Sequence, residues 1–565
     1  MNVRANNNSQ VFLMVFLFCI FIMGFDFKNK IEIGTIFLFL LILFINDYSV
    51  KDILIDSRKE WIVVLFSSII ILLFTFVSQN VYLEFETIDF DIASYLVVSQ
   101  DIDKGNLPNE VQWESKGPLL FYIYYGLTFF TEKNLVFFKL LNDIIIFLIS
   151  FILFLNIYKN TKKNLILSII PPFLFLLLLS QPWGVNEYSE VFSLLFIGLA
   201  FYFYNLNNLK NKNSLLIGLL ISFSTLINQG TVIFLIPYLI IIFRDRKELD
   251  TRYKLQNLLF GFSIPHFFFL SLYTFRGLFK VYKTTYFDIP LRYVESNLVS
   301  IGELIIFLRT YFDHLETIYF ALIGLAFLIF LEIFKSFKLN MYYLNFFTAL
   351  FFYYIGSNNY YHHLIFTLYF FVLLSSQIEL KGRLVFVLTL VLISSAHFSI
   401  TYGKKSINNF QNIEIISSSY PMNNLSKEID SFFDNEYTIL ALDRVLILFY
   451  LDKQNETYII HPTNHFEDYI VDTLENIGMV PGEHIDNILL YQSPDVIICF
   501  QRSIVGGEVK KHGEYNCALT DYRNEYIQID TGQYKSNNNL DYYPDPYREI
   551  NLYVLKSSIN TEIKD

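Results

Sequence analysis

The sequence predicts a mainly α-helical, polytopic membrane protein that ends in a soluble α/β or α+β tail. Three observations predict it. Of the 565 residues, 54% are hydrophobic and 18% aromatic, gathered into long runs rich in Phe, Ile and Leu; about 20 apolar residues let a helix cross a bilayer. Basic residues recur in every second loop between those runs. Beyond residue 400 the long apolar runs stop, and Asn, Asp, Glu, Tyr and Pro take their place.

About thirteen segments qualify as spans: 11–25, 32–46, 62–78, 135–157, 165–182, 190–206, 214–228, 230–243, 257–274, 316–335, 341–356, 363–379 and 383–400. Met1–Phe25 lacks the small-residue cleavage site of a signal peptide and reads as a retained first span. Residues 1–60 thus form an N-terminal hairpin of spans, 61–400 a membrane core and 401–565 the soluble domain. The basic loops carry Arg58 and Lys59, Lys159 to Lys163, Lys210 and Lys212, Arg244 to Lys254, Lys335 and Lys338, and Lys381 and Arg383. The positive-inside rule places them in the cytoplasm, with the N-terminus. The loop 79–118 and the tail 401–565 then lie outside.

The net charge of −11 argues against nucleic acid or an anionic lipid surface as partner. Three cysteines without a paired motif argue against a zinc or redox centre, so no metal ligands are assigned. No phosphate-binding glycine loop, nucleophile elbow or short-period repeat occurs. In the tail, β-rich runs at 437–442, 457–460, 495–500 and 550–555 alternate with helix-like patterns at 425–433 and 466–477. Cys499 and Cys517 are expected to pair if the tail lies in an oxidising compartment; otherwise they are two unrelated thiols.

The acid-rich stretch from Asp89 to Tyr125 lies between apolar segments, and charges clustered at a membrane edge mark a candidate site. Asp91 and Tyr95, four apart, would share one helix face. Asp91 is placed to accept a proton as a general base, with Asp89 as the second candidate. Asp101, Asp103 and Glu110 read as solvating the loop. Lys116 could meet a phosphate or snorkel to the interface. Arg276, Lys280 and Lys283 lie on the disfavoured side of the membrane; they read either as a solvated face or as an anion site. Lys139 and Asp143, four apart in an apolar run, read as a structural pair. His362 and His363 could ligand a divalent cation, hydrogen-bond a phosphate or simply sit at the interface.

Three motifs, D-I-A-S-Y, K-G-N-L-P and W-E-S-K-G-P-L-L-F-Y, resemble the first external loop of the GT-C glycosyltransferases, roughly Asp-x-x-x-Tyr, Gly-x-x-Pro-Tyr and Trp-Asp-x-Lys-Pro-Pro. The bacterial protein mannosyltransferase-like and lipid A aminoarabinose transferase-like proteins are the most similar in pattern. Further along, Ser189-Glu190-Val191-Phe192 is similar to the family's external Glu motif. Asn228-Gln229 resembles its Lys-Gln, and Gly356 to His363 its Gly-x-Arg-x-Tyr-x-His-Tyr. The chain departs from the pattern at Gly117 (a Pro), Asn109 (a Tyr), Asn228 (a Lys) and 357–359, which lacks the Arg.

The resemblance implies a glycosyltransferase that takes a sugar from a polyprenyl-phosphate donor to an envelope lipid, glycan or protein. Transfer would invert the anomeric carbon on the periplasmic face of a bacterial inner membrane. Asp91 or Asp89 would be catalytic. Tyr95, Glu114, Lys116, Glu190, Arg276, Lys280, Lys283 and His362 would bind substrate, with room for a divalent cation and no certain cofactor. A transporter or flippase would show internal repeats, and a polysaccharide polymerase or ligase would place its functional loop late rather than early.

Overall fold

The computed structural model describes residues 58–297, 340–374, 401–481, 494–500, 525–529, 531 and 550–558, apart from short stretches inside those ranges, and a few isolated positions. The expected N-terminal hairpin, the spans 316–335 and 383–400, and Cys517 lie outside the described residues.

The described chain is mainly helical. Four helices are long and apolar enough to cross a membrane: Glu60–Tyr82, Leu135–Lys159, Ser189–Leu206 and Thr251–Phe275. Other expected spans take shorter form, as Ser168–Leu179, Lys212–Ile227, Gln229–Arg244 and Tyr361–Leu374. Each expected segment that falls largely within the described residues is helical there, at least in part. Asn228 caps the turn that follows it, its side chain accepting the Gly230 N–H at 3.1 Å, at the break expected between 214–228 and 230–243. The apolar helices pack around one core that includes Ile149, Phe175, Ile197, Phe201, Tyr238 and Phe366.

The second core fixes the site. Asp89, in extended conformation, caps helix α1 (Phe90–Gln100) by accepting the Asp91 N–H at 3.2 Å. Tyr95 and Leu96 of α1 and Phe121 of α2 (Pro118–Phe130) share an apolar cluster with Met422, Ile439, Leu446, Val496 and Leu552 from the tail. Met422 and Leu446 lie on tail helices; Ile439, Val496 and Leu552 belong to a four-stranded mixed sheet, ordered β1-β2-β4-β3: β1 (Ile439–Ala441), β2 (Val496–Phe500), β3 (Tyr526–Ile529) and β4 (Ile550–Leu555). β1 and β2 run parallel, and the other two pairs are antiparallel. Three of the expected β runs and both expected helical patterns recur, the helices as Pro421–Ser431 and Asp468–Asn476; 457–460 contributes a single bridge. Leu446–Leu451 is helical and Tyr526–Ile529 a strand, neither signalled by a clear period.

Hydrogen bonds bind the first loop to this layer. Trp113 N–H donates to Tyr458 O at 2.6 Å and Ile460 N–H to Trp113 O at 3.1 Å, a parallel bridge. The buried Trp113 indole donates to Thr285 Oγ1 at 2.8 Å. Asp101 does not solvate the loop: it is 1% exposed, and its carboxylate accepts from Gln112 and Gln454 at 3.0 and 3.1 Å. A buried carboxylate needs such donors to offset its lost hydration. Asp103 is exposed and accepts from Tyr125.

Lys139 and Asp143 do not pair directly. Lys139 donates to Phe85 O, and Asp143 accepts from Asn80 at 2.5 Å. The chain at 80–85 crosses their helix and offers backbone and amide partners that meet both needs.

Gly117 explains one departure from the family pattern. A Cβ there would lie 2.1 Å from Leu226 O, and its N–H donates to Ile227 O at 3.2 Å. Proline would bring the clash and lose the donor. Gly117→Ala is expected to destabilise by about 1–3 kcal/mol, the usual range for overpacking, and Gly117→Pro by more. Thermal unfolding of the full-length protein in detergent checks this; a Gly117→Pro midpoint equal to wild type would contradict it.

Candidate active site

Helix α1 presents Asp89 as its cap and Asp91 in its first turn. Tyr95, one turn on, donates its hydroxyl to Asp91 Oδ2 at 3.1 Å, as the spacing of four predicts. The other Asp91 oxygen meets His461 Nε2 at 2.8 Å. Asp89 Oδ2 accepts from the Tyr188 hydroxyl at 2.7 Å. The Tyr188 ring stacks on His362, with centroids 4.2 Å apart and planes inclined by 14°. Thus one tyrosine joins the Asp91 group to a second group, Glu190, His362 and His363.

Glu190 is fully buried near the start of α3 (Ser189–Asn207). Its Oε1 accepts from Asn228 at 2.7 Å and its Oε2 from Ser189 at 3.1 Å. Asn228 therefore donates to the carboxylate where the family pattern has a lysine. Glu114 is also buried: Oε1 accepts from the Ser115 N–H and hydroxyl at 2.7 and 2.8 Å, and Oε2 from Asn464 at 3.3 Å. Asn109 takes positive φ, 62°, and its side-chain oxygen accepts the Glu114 N–H at 2.9 Å. Asparagine tolerates this left-handed conformation better than a bulky tyrosine.

The charges are coupled. Burial raises the Asp89 carboxyl, the Asp91 charge raises it further, and the Tyr188 hydroxyl draws it back, leaving it at about 6. Burial also pushes Asp91 up, but the hydrogen bond and charge of His461 outweigh it. With Lys116 and His362 they hold Asp91 well below the usual carboxylate range. Burial alone would lower His461; the Asp91 hydrogen bond and charge, then Glu114 and Asp89, lift it to about 9. The Thr463 N–H, 3.3 Å from His461 Nδ1, favours the neutral ring. The Asp91 contact is shorter and charge-assisted, and the Thr463 hydroxyl, 2.8 Å from Nδ1, can turn to accept from a protonated nitrogen. The Asp91 partner thus favours the cationic ring and the Thr463 N–H the neutral one, with the balance raised toward the cation by Asp91.

Lys116 stands apart. Burial lowers its ammonium, but Glu190, Asp91, Glu114 and Asp89 raise it above its ordinary value. Among the described residues it makes no direct ion pair or hydrogen bond. It lines a cavity with Tyr273, Tyr282 and Tyr286. Arg276, Lys280 and Lys283 flank the segment whose Val281 and Tyr282 line that cavity. Arg276 pairs with Glu110 at 3.1 Å, Lys283 with Asp288 at 2.8 Å, and Lys280 is exposed.

Sequence reasoning brought together Asp89, Asp91, Tyr95, Glu114, Lys116, Glu190 and His362. It missed His461 and Tyr188. The only signal for His461 was the strand-like Y-I-I running into H-P-T; in the structure Ile459 makes a single bridge and His461 caps the turn that begins at Pro462.

No family model matches the chain, and no curated protein matches it. Among solved structures, the crystal structure of ArnT from Cupriavidus metallidurans in the apo state is similar at a TM-score of 0.42 and 11% identity, over 78% of this chain and 93% of that one. A likeness at that score carries no functional weight, and the reading below rests on the residues themselves.

The Asp91–His461 pair has a pH signature. The folded His461 value of about 9 lies above the unfolded value of about 6.5. Its stabilisation is therefore fully present below about 6.5 and is lost as pH rises through about 9. The difference in thermal midpoint between wild type and His461→Gln should shrink over that window. A difference independent of pH would mean that no charged pair forms.

Proposed function

We propose that this protein is a membrane glycosyltransferase of the GT-C type, moving a sugar from a polyprenyl-phosphate donor to a hydroxyl of an envelope lipid, glycan or protein. The observation that carries this reading is the juxtaposition of an oriented, ionised carboxylate, Asp91, with a directly unpaired cation, Lys116, in one acid-rich cleft at the membrane edge. The loop motifs shared with that family bring the same two residues together.

In this reading the acceptor oxygen attacks the anomeric carbon while the bond from that carbon to the phosphate oxygen breaks. The acceptor proton passes to Asp91. The bonding pair leaves with the polyprenyl phosphate, and the configuration inverts. The acceptor hydroxyl becomes acidic only as its oxygen bonds to carbon, so the base need be ionised and in place rather than strongly basic. Asp91 meets both needs. Tyr95 and His461 each engage one oxygen, and a carboxylate keeps further lone pairs for the acceptor. Asp89 is the weaker candidate: burial and the Asp91 charge raise it to about 6, so part of it is protonated near neutrality. Lys116 offsets the charge developing on the leaving phosphate, where electrostatic stabilisation counts most.

General-base catalysis contributes about 10²–10⁴-fold, so Asp91→Asn should lower transfer by at least about 100-fold while folding stays intact. Transfer from a polyprenyl-phosphate sugar by protein in nanodiscs measures it. The pH profile separates the two acids. If Asp91 is the base, kcat/KM holds level as pH falls through 6; if Asp89 is the base, it falls there. Full activity in both Asp→Asn variants would sink the reading.

The reading places the cleft and residues 401–565 on the periplasmic side of the inner membrane. Impermeant thiol reagents should label a cysteine introduced at Ser418 in spheroplasts but not one introduced in the loop 245–250. The reverse pattern would invert the topology.

A further inference from the structure

We propose a divalent transition-metal site, of the zinc class, formed by Glu190, His362 and His363. The three are 0, 4 and 7% exposed, and one donor atom from each lies within 4.8 Å of the others.

The tautomer of His363 carries the argument. Its Nδ1 is 2.7 Å from Gly356 O. A carbonyl oxygen only accepts, so Nδ1 holds the proton. In the neutral ring, Nε2 then directs a lone pair at Glu190 Oε1, 3.4 Å away. Two acceptors then face each other, and either a second proton on the ring or a metal ion must stand between them. Two ligands about 2.1 Å from a tetrahedral zinc lie about 3.4 Å apart, which is the separation found. A metal-bound histidine whose far nitrogen is tied to a backbone carbonyl is the usual supporting arrangement. Gly356 permits it, since a Cβ there would be 2.5 Å from Nδ1. Glu190 is likewise oriented by Asn228.

His362 supplies the second, independent observation. Its ring lies against Tyr188 and Tyr360, with centroids 4.2 and 5.5 Å away. Among the described residues, no hydrogen bond reaches either ring nitrogen. A buried imidazole held by its faces keeps its nitrogens for a ligand.

The other cluster of this kind, Asp89, Asp91 and His461, does not suit a metal. Asp91 and His461 are 2.8 Å apart, a direct hydrogen bond and too close for two ligands of one tetrahedral ion. Three protein ligands leave a fourth position for water or an anionic oxygen, the pattern of a reactive rather than a purely structural zinc. If the transfer reading holds, that oxygen belongs to the donor phosphate; metal binding itself does not depend on that reading.

The test uses the full-length protein in nanodiscs, stripped with chelator and titrated with Zn²⁺, with metal counted by mass spectrometry and geometry read from Co²⁺ absorption. One equivalent per chain and tetrahedral Co²⁺ bands are expected in wild type. Changes to supporting residues cost about 10–100-fold in affinity, so Glu190→Gln, His362→Gln and His363→Gln should each cost at least about 100-fold, while His461→Gln keeps the metal. The Co²⁺ spectrum of wild type decides the matter even if a variant misfolds. No stoichiometric metal in wild type, unchanged affinity in all three variants, or loss confined to His461→Gln would overturn the proposal. A bare imidazolium–carboxylate pair would give the first of these results. Because metal content needs no turnover, failure here is distinct from failure of the transfer reading.

Discussion

The contact between Asp91 and His461 constrains much else in this structure. It joins the first turn of helix α1 to the capped turn at His461 in the tail, across a distance of 2.8 Å. A carboxylate and an imidazole buried separately would each lose hydration without compensation, and each would tend to shed its charge. Together they stay ionised, at the cost of fixing two parts of the chain against each other. The bridge at Trp113, the Asp101 hydrogen bonds and the shared apolar cluster hold the tail where His461 can reach. The tail is thus a wall of the site.

The neighbouring acids illustrate how position sets protonation. Asp89 and Asp91 are two residues apart, on one helix turn, in similar burial. Yet one is raised to about 6 and the other held low. Like charges so close cannot both ionise freely, and the imidazolium decides which does. The helix N-terminus favours negative charge at both and so does not discriminate between them. What separates them is the partner: a neutral phenol for Asp89, a cation for Asp91.

Much of the site was legible because its parts are close in sequence. Asp89, Asp91 and Tyr95 obey helix spacing, and Glu114 and Lys116 sit in the same loop, so a pattern of local residues carried them. His461 was not legible, because a lone histidine before a proline signals a cap as readily as a partner, and nothing local says what its ring faces. Lys139 and Asp143 show the opposite error. Helix spacing permits their pairing, but the chain at 80–85 supplies competing donors and acceptors that only the folded structure reveals. The break between 214–228 and 230–243 was legible, because Asn228 and Gln229 interrupt the apolar run; the cap that makes it, Asn228 accepting the Gly230 N–H, shows only in the fold. The tail strands were legible by their β-rich runs. The run Leu446–Leu451, apolar throughout, gives no period to separate helix from strand.

Tyr188 links the two halves of the cleft, and its rigidity matters. Its hydroxyl holds Asp89 at 2.7 Å and its face holds His362 at 4.2 Å. A tyrosine has two side-chain torsions, so a ring fixed at both ends loses little further entropy and transmits position well. The Asp91 carboxylate, beside Asp89 on the same turn, and the Glu190–His362–His363 group therefore stand at a separation set largely by one aromatic ring. A transfer that takes a proton at one point and stabilises a leaving anion at another depends on that spacing, since a displacement of about 1 Å can cost about 100-fold in rate. A flexible side chain in place of Tyr188 would leave both groups present but their relation loose. On this view Tyr188 is a positioning residue: it never touches the reacting atoms, yet it fixes the distance between the groups that do.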